Sequence, residues 1–480
     1  MSLMFENIKN IPALRYFEAI SAIPRPSYHE KAVADYIVAF AAERGLDCYR
    51  DEAHNVLVKM PATKGREDEP TVLLQAHTDM VAEKHPHVEH DFLRDGIELC
   101  IEGNRLLANG TTLGADDGFG VAMMLAILDG GAASHPALEC LFTAAEEVGL
   151  LGAERFDYSY ITAKYMVNLD SAEEDTVIVG CCGGMRSKII LPITFGNIEG
   201  EGITLSLGGL SGGHSGEDIH RNRLNANILM GKLLAALREH TPYRLVEMTG
   251  GDKGNAIPRD CTATFLPDDG TAARAFLEGA ASLARSFIVA KEDEGLFLKV
   301  EGTRVTHALS YPDTDRILRV LEIPNGVLQM RSEAPIMPEV SRNLASVRTH
   351  ADRVVISLCS RSPRADRLDD ICREEDALAK SVLAIREEAN RYPGWVGDMN
   401  APLVQAWQHA LLNVTGKSAS STFIHAGLET GIITNSIAGL EAIAVGPNLH
   451  DLHTPFEAME IDSFLRVYDA LVEFLRIVNR

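Results

Sequence analysis

The pattern of hydrophobic and polar residues in the first part of the chain predicts alternating helices and strands. Apolar residues recur at helical spacing within residues 11–22 and 28–44. Short apolar runs occupy residues 71–76, 138–143 and 165–169. Runs of this kind are typical of strands in a sheet that is covered on both faces. The alternation predicts an α/β fold with three layers and a mostly parallel sheet.

The pattern changes after Cys182, where strands of alternating character become frequent and predict helices packed on antiparallel sheets. The α/β pattern returns near the C-terminus. We therefore expect one catalytic domain made of residues 1–182 and 398–480, interrupted by an inserted α+β lid and dimerisation domain of residues 183–397. The longer helices predicted in the insert cover residues 225–239, 272–290 and 369–390.

Size and composition agree with a multidomain globular protein. The chain has 480 residues, of which 46% are hydrophobic and 24% charged. The eight cysteines include no C-x-x-C pair, which argues against a zinc ribbon or a thioredoxin-like site and favours free thiols. Because no secretory signal and no apolar stretch of ~18–20 residues is visible, we expect a cytoplasmic protein.

Acidic residues outnumber basic ones by 68 to 45, which gives a formal net charge of −23. This charge repels polyanions, so nucleic acid and membrane are not expected as partners. Solubility alone can account for the charge, but some carboxylates could also be gathered around a cation. Metal ligands would then be His, Asp and Glu at the ends of strands, where loops open toward solvent.

Paired polar residues follow the first two apolar runs. His77 and Asp79 would point to the same side of an extended segment, so Asp79 could accept a hydrogen bond from the His77 imidazole. Glu146 and Glu147 form a carboxylate pair that is unfavourable at a buried strand end unless it is solvated, protonated or metal-bound. One glutamate could bind metal while the other acts as general base. Each pair could equally be ordinary polar residues of a core or a loop.

Asp116 and Asp117 lie in a glycine-rich segment before a helix that the pattern predicts at residues 121–128. Either aspartate could cap that helix. Adjacent carboxylates also repel each other, and one of them could bridge two cations.

Three later residues complete the candidates. Asp170 follows the third apolar run, a position where an aspartate is commonly a turn residue. His450 and His453 follow an apolar strand predicted at residues 441–445, and either could be a ligand or a loop residue.

Taken in order, these motifs resemble the aminoacylase and carboxypeptidase family of di-zinc metallopeptidases, and in particular its aminoacyl-histidine dipeptidase branch. The shared series is H-x-D at His77, G-x-D-D-G at Asp116, E-E-x-G at Glu146, N-x-D at Asp170 and a final G-P…H-x-P at His453. The resemblance covers nearly the whole chain. It implies a peptide hydrolase with two divalent metal ions, in the first place zinc, although cobalt and manganese also suit such ligands.

The resemblance also implies the role of each residue. Asp79 would orient His77, and Glu146 would be the general base that takes a proton from the attacking water. The H-x-P context favours His453 over His450 as the last ligand. The implied ligand sets are His77, Asp116 and Asp170 for one zinc and, with Asp116 shared as a bridge, Glu147 and His453 for the other.

Four more residues are expected to contact substrate. His214 lies in a segment that resembles the family's G-H-S segment, whose histidine reaches the substrate when the lid closes. Asn255 lies in a segment that resembles the family's G-G-x-x-x-N-x-I-P. Arg361 is a candidate clamp for a substrate carboxylate, and Glu429 could meet a substrate amino group. Each of the four could also be a structural turn or strand-end residue.

These features together predict a metal-dependent dipeptidase of short peptides, with Xaa-His dipeptides such as β-alanyl-histidine as the expected substrates. The alternative among enzymes is an N-acyl amino acid deacylase or a carboxypeptidase with the same metals. A non-catalytic relative is expected to lack Glu146 or a metal ligand, and this chain retains them all. The family also implies a homodimer formed through the insert.

Overall fold

The computed structural model describes residues 11–332 and 337–479, which form two compact units. The first unit contains the chain up to Cys181, Trp395–Phe423 and the chain from Leu428 onward. The second contains Cys182–Gly394 and the short segment Ile424–Gly427. Within the described residues, no helix is both long enough and apolar enough to cross a lipid bilayer.

Helices and strands alternate in the first unit, whereas long strands dominate the second. The α-helices, numbered along the chain, are α1 (Pro12–Ser21), α2 (Lys31–Glu43), α3 (Ala115–Ala126), α4 (Leu151–Arg155), α5 (Ala226–Arg238), α6 (Gly270–Arg285), α7 (Tyr311–Leu321), α8 (Ala365–Ser381), α9 (Pro402–Thr415), α10 (Glu429–Ser436) and α11 (Ile461–Ile477). The strands are β1 (Asp47–Arg50), β2 (Val56–Met60), β3 (Val72–His77), β4 (Leu99–Glu102), β5 (Arg105–Ala108), β6 (Leu138–Thr143), β7 (Tyr165–Asn168), β8 (Thr176–Cys181), β9 (Gly183–Pro192), β10 (Phe195–Gly208), β11 (Gly213–His214), β12 (Tyr243–Gly250), β13 (Ala256–Ile257), β14 (Cys261–Pro267), β15 (Phe297–Leu309), β16 (Gly326–Met330), β17 (Pro338–Thr349), β18 (Arg353–Ser362), β19 (Ile385–Tyr392), β20 (Trp395–Val396), β21 (Ser420–Ile424), β22 (Glu441–Ala444), β23 (Leu449–His450) and β24 (Ala458–Glu460).

The first unit is built around a sheet with the strand order β1-β2-β6-β3-β7-β22-β8-β20, and β21 also pairs with β8. The four central strands, β6, β3, β7 and β22, are parallel, and antiparallel strands extend the sheet at both edges. Every residue of β3 and β6 is buried, and α3 packs against β3. The predicted α/β class is confirmed. Because the central strands run in the same direction, the loops that follow β3, β6 and β7 lie along one edge of the sheet.

The helix after the glycine-rich segment begins earlier than its apolar pattern indicates. The pattern predicts a start at residue 121, whereas the range of α3 begins at Ala115. Asp116 and Asp117 have non-helical backbone angles at a kink, so the regular part of α3 begins after Asp117. Gly114 has a left-handed conformation with φ +66° that ends the preceding loop. The Gly120 N–H donates to Asp117 Oδ1 at 3.2 Å, so Asp117 takes the capping role. The early start brings both aspartates to the edge of the sheet where the strand ends lie.

The second unit contains an antiparallel sheet with the order β15-β10-β14-β12-β17-β18-β9-β19, and β16 also pairs with β17. The helices α5, α6 and α7 share one apolar core with this sheet, which includes Leu205, Leu233, Phe265, Leu277 and Ile317. This is the α+β arrangement that the sequence predicts.

One predicted helix is wrong over its second half. The sequence predicts a helix at residues 369–390, but α8 ends at Ser381 and β19 follows at Ile385–Tyr392. Leu383 has a positive φ of 52°, which cannot continue a helix. Since β19 is an edge strand with mostly exposed side chains, it lacks the apolar alternation that would reveal a strand.

Candidate active site

Polar side chains from the end of β3, from the loops after β6 and β7, from the start of α3 and from the loop after β23 meet in the first unit. All five residues predicted as metal ligands take part. In each group the candidate ligand atoms lie within 4.8 Å of one another. The first group is His77, Asp116 and Asp170, the second is Asp116, Glu147 and His453, and a third is His77, Glu146 and Glu147.

Asp116 lies between two histidines. Its Oδ1 is 2.9 Å from His77 Nε2, and its Oδ2 is 3.3 Å from His453 Nε2. The same His453 nitrogen is 3.1 Å from Glu147 Oε1. A carboxylate whose two oxygens face different imidazoles has the geometry needed to bridge two cations.

His450, the other candidate near the C-terminus, lies apart from this cluster. Its Nε2 is 2.8 Å from Glu460 Oε1, and the backbone pairing of β23 with β24 holds the two residues together. The structure thus brings His453, and not His450, to Asp116 and Glu147.

The carboxyl groups of the cluster compete for little positive charge. Burial and the nearby Asp116 raise the pKa of Asp170 to about 8, and burial raises the pKa of Glu146 far above its usual range. Burial alone would also raise the pKa of Asp116, but hydrogen bonds from His453 and His77 outweigh it and hold that pKa low. Bonds to Asp116 and then to Glu147 raise the pKa of His453 to about 11. Cations would stabilise such a cluster.

Asp79 contacts the His77 imidazole and several other groups of the site. Its Oδ1 lies 3.3 Å from His77 Nδ1, as the H-x-D spacing predicts. It also accepts hydrogen bonds from the backbone N–H groups of Glu146, at 3.0 Å, and Glu147, at 3.2 Å. The Ser27 hydroxyl donates to it at 2.7 Å. Asp79 therefore fixes the loop that carries both glutamates as well as the histidine.

Asp117 has a structural role beside Asp116. Besides capping α3, it accepts a hydrogen bond from the His77 backbone N–H at 3.1 Å. The peptide bond between Asp116 and Asp117 is cis. Helix capping and cation binding were the two alternatives for this aspartate pair. Asp117 caps the helix, whereas Asp116 faces the two histidines.

Glu429 is fully buried in the first unit, at the start of α10. Its Oε2 accepts hydrogen bonds from Gln75 Nε2 and Thr143 Oγ1, both at 2.6 Å. Its Oε1 is also buried, and it has no hydrogen-bond partner among the described residues. Burial raises the pKa of this carboxyl to about 7. Gln75 and Thr143 were missed at the sequence level because each lies inside an apolar strand.

The other predicted substrate contacts lie together in the second unit. Arg361 Nη2 is 3.5 Å from His214 Nε2, and Arg361 Nη1 donates to the Tyr392 hydroxyl at 3.2 Å. The Ser215 N–H donates to the Asn255 carbonyl at 2.8 Å, which joins Asn255 to the two-stranded sheet of β11 and β13 that contains His214. Arg361 is only 6% exposed, so it is not the exposed strand-end arginine considered as an alternative.

The donor set suits divalent metal ions. It consists of carboxylate oxygens and imidazole nitrogens, which zinc, cobalt and manganese all accept. Each ligand group offers both donor types, and Asp116 belongs to two of the groups. The residues present therefore fit a pair of metal ions.

Comparisons with known proteins agree with this geometry. Residues 55–186 match the peptidase family M28, and residues 205–267 match a peptidase dimerisation domain. The chain is 34% identical over 470 residues to the cytosol non-specific dipeptidase of Escherichia coli (strain K12), with 97% of each chain covered.

Solved structures with the same fold include peptidases at very different levels of sequence identity. The aminoacylhistidine dipeptidase from Vibrio alginolyticus superposes with a TM-score of 0.87 at 33% identity, over 99% of both chains. An M20 family metallo-carboxypeptidase from Sulfolobus solfataricus shares the fold alone, with a TM-score of 0.55 at 13% identity over 98% of this chain and 99% of that one. The chain therefore belongs to the metallopeptidase family that includes the aminoacylhistidine dipeptidases, and it is a peptide hydrolase.

Proposed function

We propose that the chain hydrolyses dipeptides at a centre of two divalent metal ions, with zinc as the expected metal. The observation that carries this proposal is the position of Asp116, whose two oxygens face His77 on one side and His453 on the other. Asp170 adds a ligand on the first side and Glu147 on the second.

Glu146 is proposed as the general base. Metal ions held by these residues would polarise the scissile carbonyl and lower the pKa of the attacking water. Glu146 would take the proton of that water and deliver it to the leaving amine. Asp79 would keep the His77 ring and the Glu146 backbone in place through the hydrogen bonds described above.

Two predicted substrate contacts, one in each unit, have a buried polar atom without a hydrogen-bond partner among the described residues. Glu429 Oε1 is buried and has no hydrogen-bond partner among the described residues, so a substrate ammonium group would supply the missing donor. Arg361 is buried, and its Nε has no acceptor in the described part of the chain, so a substrate carboxylate would satisfy it. We assign His214 to the oxyanion of the tetrahedral intermediate and Asn255 to substrate binding.

Substrate preference, assembly and location are further parts of the proposal. We expect Xaa-His dipeptides to be cleaved, since one relative is named an aminoacylhistidine dipeptidase, while the name of another, a non-specific dipeptidase, suggests that other dipeptides are cleaved too. The match to a peptidase dimerisation domain supports a homodimer, which light scattering would reveal as twice the 52.3 kDa chain mass. A cytosolic relative supports a cytoplasmic location.

The test is hydrolysis of β-alanyl-histidine, glycyl-histidine, other dipeptides, a tripeptide and an N-acetyl amino acid. Zinc-loaded protein should cleave the dipeptides, and chelation should abolish cleavage. Glu146→Gln should lower kcat by roughly 10²–10⁴-fold with metal still bound. Glu154→Gln, an exposed glutamate of α4, is the control and should behave as wild type.

Each contrary result has its own meaning. Cleavage of only the acetylated substrate would move the chain to the deacylases. No turnover of any substrate by protein with bound metal would overturn the proposed activity.

A further inference from the structure

Glu457 binds the loop that carries Asp116 through four consecutive backbone groups. Its Oε2 accepts hydrogen bonds from the N–H groups of Leu113, at 2.9 Å, and Gly114, at 3.1 Å. Its Oε1 accepts from those of Ala115, at 2.8 Å, and Asp116, at 3.3 Å. Glu457 is only 3% exposed, so these bonds replace the water that a carboxylate would otherwise bind.

This arrangement meets a need of the chain at the start of α3. The first N–H groups of a helix have no partner within the helix. Those at the start of α3 are buried among negatively charged side chains. Burial of the further carboxylate of Glu457 there is unfavourable unless several hydrogen-bond donors compensate its charge. Four N–H donors on one carboxylate supply that compensation.

Arg25 holds the same loop from another direction. Its Nη1 donates to the carbonyls of Thr78 and Asp79, both at 3.1 Å, and its Nη2 donates to the carbonyl of Gly114 at 2.5 Å. Arg25 is 1% exposed, and its positive charge lies near Glu457 and the site aspartates. It thereby ties the loop after β3 to the loop before α3.

Glu457 also belongs to the segment that carries His453. Its own N–H donates to the Thr454 carbonyl at 3.1 Å, so a tight turn separates the two side chains. One short segment therefore supplies a candidate ligand and the anchor of the candidate bridging carboxylate. Movement of Glu457 would shift Asp116 and His453 relative to each other.

We propose that Glu457 is a positioning residue of the metal centre, which sets the place of Asp116 between His77 and His453, with Arg25 supporting the same loop. The inference rests on the proposed metal centre. It does not make Glu457 a metal ligand, because its oxygens are occupied by backbone N–H groups.

Cobalt binding by the chelated, refilled protein tests the proposal without relying on turnover. Titration with Co²⁺, followed by visible absorption and by calorimetry, should show two equivalents in the wild type. Glu457→Gln replaces one acceptor oxygen with an NH₂ group that faces backbone donors. It should weaken cobalt binding by about 10–100-fold and change the visible spectrum, as loss of a group that orients ligands does.

Glu139→Gln is the matched control. Glu139 is another buried glutamate of the first unit, 2% exposed, that accepts backbone N–H bonds from Thr162 and Ala163. It lies at the opposite end of β6 from the metal cluster. Glu139→Gln should lower the unfolding temperature by about as much as Glu457→Gln does. It should leave the cobalt affinity and the visible spectrum unchanged.

The outcomes distinguish failure of the positioning role of Glu457 from failure of the proposed metal centre. If the wild type binds two cobalt ions and Glu457→Gln binds them with unchanged affinity and spectrum, the positioning role is overturned while the metal centre stands. If the wild type binds no cobalt, the metal centre and this inference both fall. Should Glu457→Gln not fold, Glu457→Asp keeps the charge and shortens its reach, and it should show the same spectral change.

Discussion

Asp116 belongs to two groups of candidate ligands, so loss of each candidate ligand should have a different effect on metal content. His453→Ala should retain one metal ion, because His77 and Asp170 remain on the other side. Asp170→Ala should retain one ion as well, held by Glu147 and His453. Asp116→Ala should bind less than one, since Asp116 belongs both to the group with His77 and Asp170 and to the group with Glu147 and His453. Metal analysis of dialysed protein measures these numbers.

The control for this prediction is His450→Ala. This histidine is bonded to Glu460, so its loss should leave two metal ions in place. A protein that loses metal through His450→Ala and keeps it through His453→Ala would contradict the assignment.

Arg361 should recognise a carboxylate and should be indifferent to an amide. A hydrogen-bonded charge contact contributes about 1.5–3 kcal/mol, which corresponds to roughly 10–150-fold in kcat/KM. Arg361→Met should therefore lose about that factor on a dipeptide with a free carboxylate. On the same dipeptide as a C-terminal amide, variant and wild type should be equal. An equal loss on both substrates would indicate a general structural effect.

At the scale of secondary-structure elements, α3 and the end of β7 approach closely at Gly120. A Cβ at this position would lie 2.6 Å from Asp117 Oδ1 and 2.7 Å from the Leu169 carbonyl oxygen. The neighbouring backbone has little room to give, so Gly120→Ala should lower the free energy of unfolding by about 1–3 kcal/mol. Gly279→Ala in α6 is the control, because nothing lies within 4 Å of its Cβ position. There the better helix propensity of alanine should raise stability by about 0.5–1 kcal/mol. Urea unfolding of both variants checks the two signs.

The segment Ile424–Gly427 is held in the second unit by a histidine between two side chains. His425 Nδ1 is 3.0 Å from Cys182 Sγ, and His425 Nε2 is 2.7 Å from Ser341 Oγ. Burial, and then the charge of Arg361, lower the pKa of His425 to about 3. This ring is therefore neutral in the folded protein.

That lowered pKa predicts a pH-dependent stability. An unfolded histidine has a pKa of about 6.5, so below that pH the unfolded chain binds a proton that the folded chain refuses. The stabilisation is complete above pH 6.5 and is lost as the pH falls toward 3. Between pH 7 and 5 the wild type should lose about 2 kcal/mol more than His425→Gln. Parallel stability curves of the two proteins in urea would contradict this account.

Elements with a clear apolar pattern could be predicted from the sequence, and those fixed by distant partners could not. The strand predicted at residues 138–143 has the same bounds as β6, because all six of its residues are buried. β19 was predicted as helix, since an edge strand leaves no apolar signature. The predicted ligands lie within motifs, whereas Glu457 and Arg25 act on backbone groups far along the chain. No local spacing in the sequence reveals such contacts. The one signal that could have indicated Glu457 is its position four residues after the candidate ligand His453.

At the scale of the whole molecule, metal should stabilise one unit selectively. The candidate ligands all lie in the first unit, and the second unit has an apolar core of its own. Metal at 100 times its dissociation constant adds about 2.7 kcal/mol to the folded state that binds it. In calorimetry, chelation should lower the transition of the first unit and leave that of the second unchanged. A single transition that shifts as a whole would show that the two units unfold together.

The short segment Ile424–Gly427, which belongs to the second unit, has a consequence for the exchange of domains between related proteins. If only Cys182–Gly394 were exchanged between relatives, His425 would still come from the original protein. The residues at positions 182 and 341, which it contacts, would come from the other protein. The second unit is therefore encoded by two separated stretches of the gene. A chimera that transfers both stretches should fold where one that transfers only the long stretch is impaired.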